Sequence, residues 1–128
     1  MKLLLDTCVF LWAVADPDKL SEAARTAYLD ASNSRYLSAA SAWEIGIKYS
    51  RGKLPLPKSP MYYIPRLREE SGIEPLPVDE REALHAAQLI QLHTDPFDRL
   101  LISQAILHDM AILSPDETLA QYPVRVIW

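Results

Sequence analysis

Lys2-Leu3-Leu4-Leu5-Asp6 is a short apolar run that ends on a carboxylate. Three consecutive leucines with no polar alternation read as a strand buried on both faces, the signature of a parallel sheet. Asp6 then stands at the carboxyl end of that strand. Working outward, Arg35 to Ala39, after the polar Asn33-Ser34 turn, reads as a second strand. Ala111-Ile112-Leu113 is a third, and Val124 to Trp128 the last. Ile73 to Val78 is a strand or an extended connector.

Helices fill the intervals. Ser21 caps a helix running through Ala31, and Ser41 opens one over Ala42 to Ser50 that closes at Gly52. Met61 to Ser71 is closed by Gly72. Asp79, with Glu82 three residues on, starts a helix to Leu92. Asp95-Pro96-Phe97-Asp98 is the strongest helix start of all, with a capping acid, proline in the first turn and a second acid three residues after the cap; this helix runs to about His108. Val9 to Val14 is an apolar stretch broken at Asp16-Pro17-Asp18, and Leu54-Pro55-Leu56-Pro57 is a loop. Strands alternating with helices give an α/β fold with a mainly parallel central sheet, expected as one domain over residues 1–128.

With 49% hydrophobic residues the chain can bury a real core. Leu3-Leu4-Leu5 is too short, and too soon followed by charge, for a signal peptide or a membrane span, so a cytoplasmic location is expected. The single cysteine, Cys8, has no disulfide partner and no second sulfur for a metal or redox pair. Thirteen basic against seventeen acidic residues leave a net charge of −4, which excludes a general electrostatic binder of nucleic acid. A bound divalent cation would reverse the local sign wherever the acids gather.

Four acids are candidates for such a gathering. Asp6 and Asp116 each follow a short apolar strand, and ligands of parallel α/β sheets bind outside the carboxyl ends of the strands. Glu44 interrupts Ala42-Trp43-Glu44-Ile45-Gly46-Ile47 on a helix that begins at the same edge. Asp98 sits in the first turn of its helix above Leu101, Ile102 and Ala105. Buried like charges demand a cation, and four carboxylates without histidine or cysteine ligands favour Mg2+ or Mn2+ over zinc. The chemistry such an ion serves is phosphoryl transfer. Each acid also has a plainer reading: Asp6 as a cap, Asp98 as part of a capping box, Glu44 as the i, i+4 partner of Lys48 on a solvated face, Asp116 as a turn residue. His85, His93 and His108 are scattered without a second ligand at metal spacing and read as structural histidines.

Four segments carry a resemblance: Leu4-Leu5-Asp6-Thr7 with Leu11-Trp12; Ser41 to Lys48 leading into Gly52-Lys53-Leu54; His93-Thr94-Asp95-Pro96-Phe97-Asp98-Arg99-Leu100-Leu101-Ile102; and Leu113-Ser114-Pro115-Asp116. In this order they resemble the PIN-domain ribonucleases, and within them the VapC-like toxins of bacterial toxin–antitoxin pairs. The resemblance implies a three-layer α/β/α domain and a Mg2+-dependent endoribonuclease, with Mn2+ as an alternative ion. It implies that Asp6, Glu44, Asp98 and Asp116 hold the metal. Thr7 would orient Asp6 or a water on the metal through its hydroxyl. Asp95 would cap its helix or stand behind the ligands, and Arg99 would touch substrate phosphate or pair with a neighbouring acid. It also implies RNA as substrate, a cognate antitoxin as protein partner, and a homodimer, with no membrane association. Exposed apolar residues among Trp12, Tyr62, Tyr63 and Ile64 would support such contacts, unless they pack inside.

The chain departs from the family's pattern at Cys8, at Leu89-Ile90-Gln91-Leu92 before the His93 segment, and at Pro115. None of these removes a carboxylate. A phosphatase with a strand-end nucleophile would need a second Asp two residues after Asp6, and Cys8 is there instead. A receiver-type signalling domain would need a further acceptor Asp and a late strand-end Lys, where Ser38-Ala39 and Ser114-Pro115 stand. The remaining alternative is a non-catalytic PIN-like module that binds protein or RNA, whose mark would be loss of one or more of the four acids.

Overall fold

In the computed structural model, which describes residues 1–128, Leu3, Leu4 and Leu5 are completely buried. They form β1 (Lys2–Leu5) at the centre of a five-stranded sheet with β2 (Ser34–Ser38), β3 (Glu74–Leu76), β4 (Ala111–Leu113) and β5 (Val126–Ile127). The strand order is β3-β2-β1-β4-β5, and every pairing is parallel. Both faces are therefore available for helices, and both are covered. Leu3 and Leu5 pack with Val9, Phe10, Leu37, Ile45 and Ile64 on one side. Leu4 packs with Leu101, Ile102, Ala105 and Ile112 on the other. The alternation of β1 side chains thus divides the core in two and gives the three layers.

The helices are α1 (Thr7–Ala15), α2 (Glu22–Leu29), α3 (Ala39–Ser50), α4 (Pro60–Glu70), α5 (Glu80–Gln88) and α6 (Pro96–His108). No helix is long and apolar enough to cross a membrane. Chain order runs outward from β1 to β2 and β3 on one side and to β4 and β5 on the other, so the sheet's topological switch point lies between β1 and β4.

The structure moves several boundaries, each for a local reason. Val9 to Val14 lies in α1, a helix the sequence did not disclose because it is apolar nearly all round; Asp6 caps it directly at the end of β1, its side chain accepting from the Thr7 amide. Ser38, not Ser41, opens α3 by accepting from the Ala40 amide, and Ser41 is buried inside the first turn. Helix α2 stops at Leu29 rather than Ala31. Helix α5 has the capping box expected of Asp79 and Glu82 but ends at Gln88, not Leu92. There the carbonyls of Ala86 and Leu89 turn to the guanidinium of Arg99. Strand β3 is a short edge strand, where the missing amide hydrogen of Pro75 costs no ladder bond. Gly52 and Gly72 follow α3 and α4 with φ of +69° and +66°, the left-handed conformation that glycine adopts without strain.

Candidate active site

The carboxyl edge of the sheet brings together residues far apart in the chain. Asp6 follows β1, Ser114 and Asp116 follow β4, Glu44 lies in the second turn of α3, and Asp98 lies in the first turn of α6. A cleft of about 570 Å3 is lined by Asp6, Thr7, Glu44, Lys48, Asp95 and Asp98, among others. Asp116 stands beside it, linked to Asp6 through Ser114 and to Asp98 through His93.

Each acid is held by specific partners. The Thr7 amide donates to Asp6 Oδ1 at 2.7 Å and the Ser114 hydroxyl donates to Asp6 Oδ2 at 2.6 Å. The Thr7 hydroxyl donates to Glu44 Oε1 at 2.7 Å, and Lys48 Nζ meets Glu44 Oε2 at 2.7 Å. The i, i+4 pair expected from sequence is real, but only its lysine end is solvated: Lys48 is exposed, whereas Glu44 is only 8% exposed. Thr7 therefore orients Glu44 with its hydroxyl and Asp6 with its backbone, a correction to the role expected for it. Asp95 caps α6, accepting from the amides of Phe97 and Asp98. Trp43 and Phe97, the residues just before Glu44 and Asp98, pack edge to face at 5.5 Å and tie α3 to α6 beside the two acids.

Electrostatics mark the same spot. Burial pushes the Asp6 carboxyl up, against the hydrogen bonds from Ser114 and Thr7, and the charges of Glu44 and Asp116 push it further. Burial, then the charges of Asp6 and Asp95, push Asp98 up to about 7. Burial opposes ionisation of Asp116 as well, yet its bonds to His93 and Thr118 bring it below the usual carboxylate range. The hydrogen bond to Glu44 raises the Lys48 ammonium. Crowded, partly buried oxygen donors whose ionisation is resisted by one another fit a hard divalent cation, which removes that resistance.

The model of the PIN domain matches residues 3–124 of the chain. The chain belongs to the PIN-domain family. Among curated proteins, "Ribonuclease VapC16" of Mycobacterium tuberculosis (strain ATCC 25618 / H37Rv) is 48% identical over 56 residues, which is 44% of this chain. The chain spans 40% of that relative's length in the match. Among solved structures, VapBC2 from Rickettsia felis bound to a promoter DNA fragment superposes with a TM-score of 0.70 at 16% identity, covering 98% of this chain and 97% of the other. VapBC-1 from nontypeable Haemophilus influenzae gives 0.67 at 15%, covering 98% and 96%. DNA-bound VapBC from Salmonella typhimurium gives 0.66 at 18%, also covering 98% and 96%. At these identities the structures share the fold with this PIN domain.

Two site residues of this PIN domain were not picked out from sequence. His93, expected to be an isolated structural histidine, has Nε2 2.9 Å from Asp116 Oδ2 and 3.1 Å from Asp98 Oδ2. Ligand-capable atoms of His93, Asp98 and Asp116 lie within 4.8 Å of one another. Ser114 bridges Asp6 and the backbone of Asp116. Its place directly after β4, equivalent to that of Asp6 after β1, was the available signal.

Arg99 is a correction of the opposite kind. It touches neither an acid nor the open cleft; it is 7% exposed and donates to the carbonyls of Ala86, Leu89, Ile90 and His93. Cys8 lines the cleft, where burial and then the Asp6 charge push its thiol up to about 12. Of Trp12, Tyr62, Tyr63 and Ile64, Tyr62 is exposed and Tyr63 half-buried, while Ile64 is core and Trp12 packs on Trp128 at 5.9 Å, the inward packing that the sequence also allowed.

Proposed function

We propose that the chain is a metal-dependent endoribonuclease that hydrolyses RNA phosphodiester bonds and serves as the toxin of a toxin–antitoxin pair. The observation that carries this reading is the convergence of Asp6, Glu44, Asp98 and Asp116 at the carboxyl edge of a PIN-domain sheet, with Asp98 pushed up to about 7 by burial and its acidic neighbours. The match to a protein named a ribonuclease supports the substrate class. The likeness to VapBC complexes supports a protein partner of the antitoxin type.

Asp6, Glu44, Asp98 and Asp116 would hold Mg2+ or Mn2+, and the bound ion would supply charge stabilisation at the scissile phosphate. The chain's own contribution is to fix the acids beforehand. Thr7 aims Glu44, Ser114 aims Asp6, and neither carboxylate is free to rotate away. Lys48 and Lys53 line the cleft and offset its acids, giving an RNA phosphate a cationic wall to approach.

The test is cleavage of a panel of structured RNAs by purified protein with Mg2+ or Mn2+, beside EDTA controls and the variants Asp6→Asn and Asp98→Asn. The expected result is metal-dependent cleavage that both substitutions abolish while the variants stay folded. A well-folded, partner-free protein that cuts nothing across the panel would overturn it in favour of a binding module.

A further inference from the structure

We propose that His93 is a positioning residue of the acidic site, which holds Asp116 beside Asp98 through a proton on Nε2, and that it is neither a metal ligand nor a general base. This rests on the nuclease reading for its consequence in catalysis but not for its geometry. The decisive contact is on the far side of the ring. The backbone amide of Asp95 donates to His93 Nδ1 at 3.1 Å. A backbone amide can only donate, so Nδ1 accepts, and the ring proton sits on Nε2. That proton faces Asp116 Oδ2 at 2.9 Å, with Asp98 Oδ2 at 3.1 Å. Nε2 therefore has no lone pair to offer a cation, and Nδ1 has already spent its own. The nitrogen nearest the acids is a donor to carboxylates, not a donor to metal.

The residue is also fixed as a unit, although it lies between helices in a segment without regular structure. The Tyr122 hydroxyl accepts from the amides of Leu92 and His93, at 3.2 and 3.0 Å, and donates to the carbonyl of Ile90 at 2.6 Å. Arg99 donates to the carbonyl of His93 at 3.2 Å. Amide, carbonyl and both ring nitrogens of His93 are all engaged, so the ring cannot swing out of the site without breaking several bonds. The consequence is a division of labour. Ser114 fixes one oxygen of Asp6, Thr7 one oxygen of Glu44 and His93 one oxygen of Asp116, while the Thr7 amide, the Lys48 ammonium and the Thr118 amide hold the opposite oxygens.

The geometry suggests its own variants. Gln at position 93 can set an amide N–H2 near the place of Nε2, whereas Asn can replace only the acceptor near Nδ1. The experiment measures Mn2+ affinity of the wild type, His93→Gln and His93→Asn by electron paramagnetic resonance, together with kcat and KM on RNA. Nitrogen-15 NMR of the wild-type ring, at fixed neutral pH and without metal, reads the tautomer directly. The expected result is an Nε2–H tautomer, Mn2+ affinity within a few-fold of wild type for His93→Gln, and a loss of roughly 10–100-fold for His93→Asn, the range for residues that orient metal ligands. The loss in cleavage is expected in kcat with KM for RNA little changed. An Nδ1–H tautomer, or His93→Asn binding Mn2+ as tightly as wild type, would overturn the proposal. The tautomer and Mn2+ readings stand even if no RNA is cut, so failure of the nuclease reading is seen separately.

Discussion

The Ser114 hydroxyl donates to Asp6 Oδ2 at 2.6 Å, joining two strand ends 108 residues apart in the chain. Ser114 Oγ in turn accepts from the Asp116 amide at 3.0 Å, so one small side chain sets the spacing of two acids. Ser114→Ala removes both bonds in a buried setting. Stability should fall by about 1–2 kcal/mol, as expected for buried groups left without partners. The Ser114 bond also pulls the Asp6 carboxyl down against burial, so its loss lets that group rise further. The acidic limb of the pH–activity profile should shift to higher pH in Ser114→Ala, and an unmoved limb would refute this account.

Asp98 gives a pH dependence of stability in the metal-free protein. Its carboxyl is raised from 3.8 to about 7, so over that range the folded chain holds a proton that the unfolded chain has released. The stability linked to this group is complete below 3.8 and is lost as pH climbs through 7. Asp98→Asn carries no charge to pay for, so its melting temperature relative to wild type should rise steadily from pH 4 to pH 8. Added Mg2+ should then raise wild type at pH 8 and leave Asp98→Asn nearly unmoved. A gap between the two proteins that is constant with pH would sink the argument.

Glu82 carries the capping box of α5 into a buried network. It is 2% exposed, accepts from the Asp79 amide at 3.0 Å and the Gln104 side chain at 3.1 Å, and pairs with His108 at the end of α6. Burial resists its charge, but the Asp79, His108 and Gln104 bonds hold it below the usual range. Glu82→Gln should cost about 2–3 kcal/mol at neutral pH, the scale of a lost charge-assisted network. Because the group is lowered, the benefit is present above 4.5 and is lost as pH falls below it. Chemical denaturation at pH 7 and pH 4 checks this, with the difference between the proteins expected to shrink at the lower pH.

What the sequence disclosed follows from where signals are local. The strands were legible because buried parallel strands lack alternation, and Lys2 to Leu5 and Ala111 to Leu113 stand out against polar flanks. The start of α6 was legible because Asp95, Pro96 and Asp98 all speak for one turn. Helix α1 was not, since a helix covered on most sides shows no polar stripe to mark its period. The four acids could be placed at one sheet edge because each follows a recognisable strand or helix start. His93 could not, because its partners Asp98 and Asp116 meet it only once the strand order puts β4 beside β1. The role that the resemblance implied for Arg99 did not hold, because its guanidinium turns inward to the carbonyls at the end of α5.

That inward turn separates two readings of Arg99 by experiment. Its guanidinium reaches the carbonyls of Leu89 at 2.7 Å, Ala86 at 2.9 Å, and Ile90 and His93 at 3.2 Å each. A planar fork with five donors can serve four acceptors at once, but a lysine ammonium is a point charge with three donors on a different axis. Arg99→Lys should therefore cost about 3 kcal/mol, the scale for a buried charge that loses its partners. Amide hydrogen exchange should quicken over residues 86–95, where the carbonyls are released, before it does so in β1 or β4. Cleavage should fall with it, because the His93 carbonyl is one of the four acceptors and the ring follows its backbone. A residue that merely bound RNA phosphate would behave otherwise: Arg99→Lys would keep its charge, leave stability and exchange unchanged, and raise KM for RNA alone.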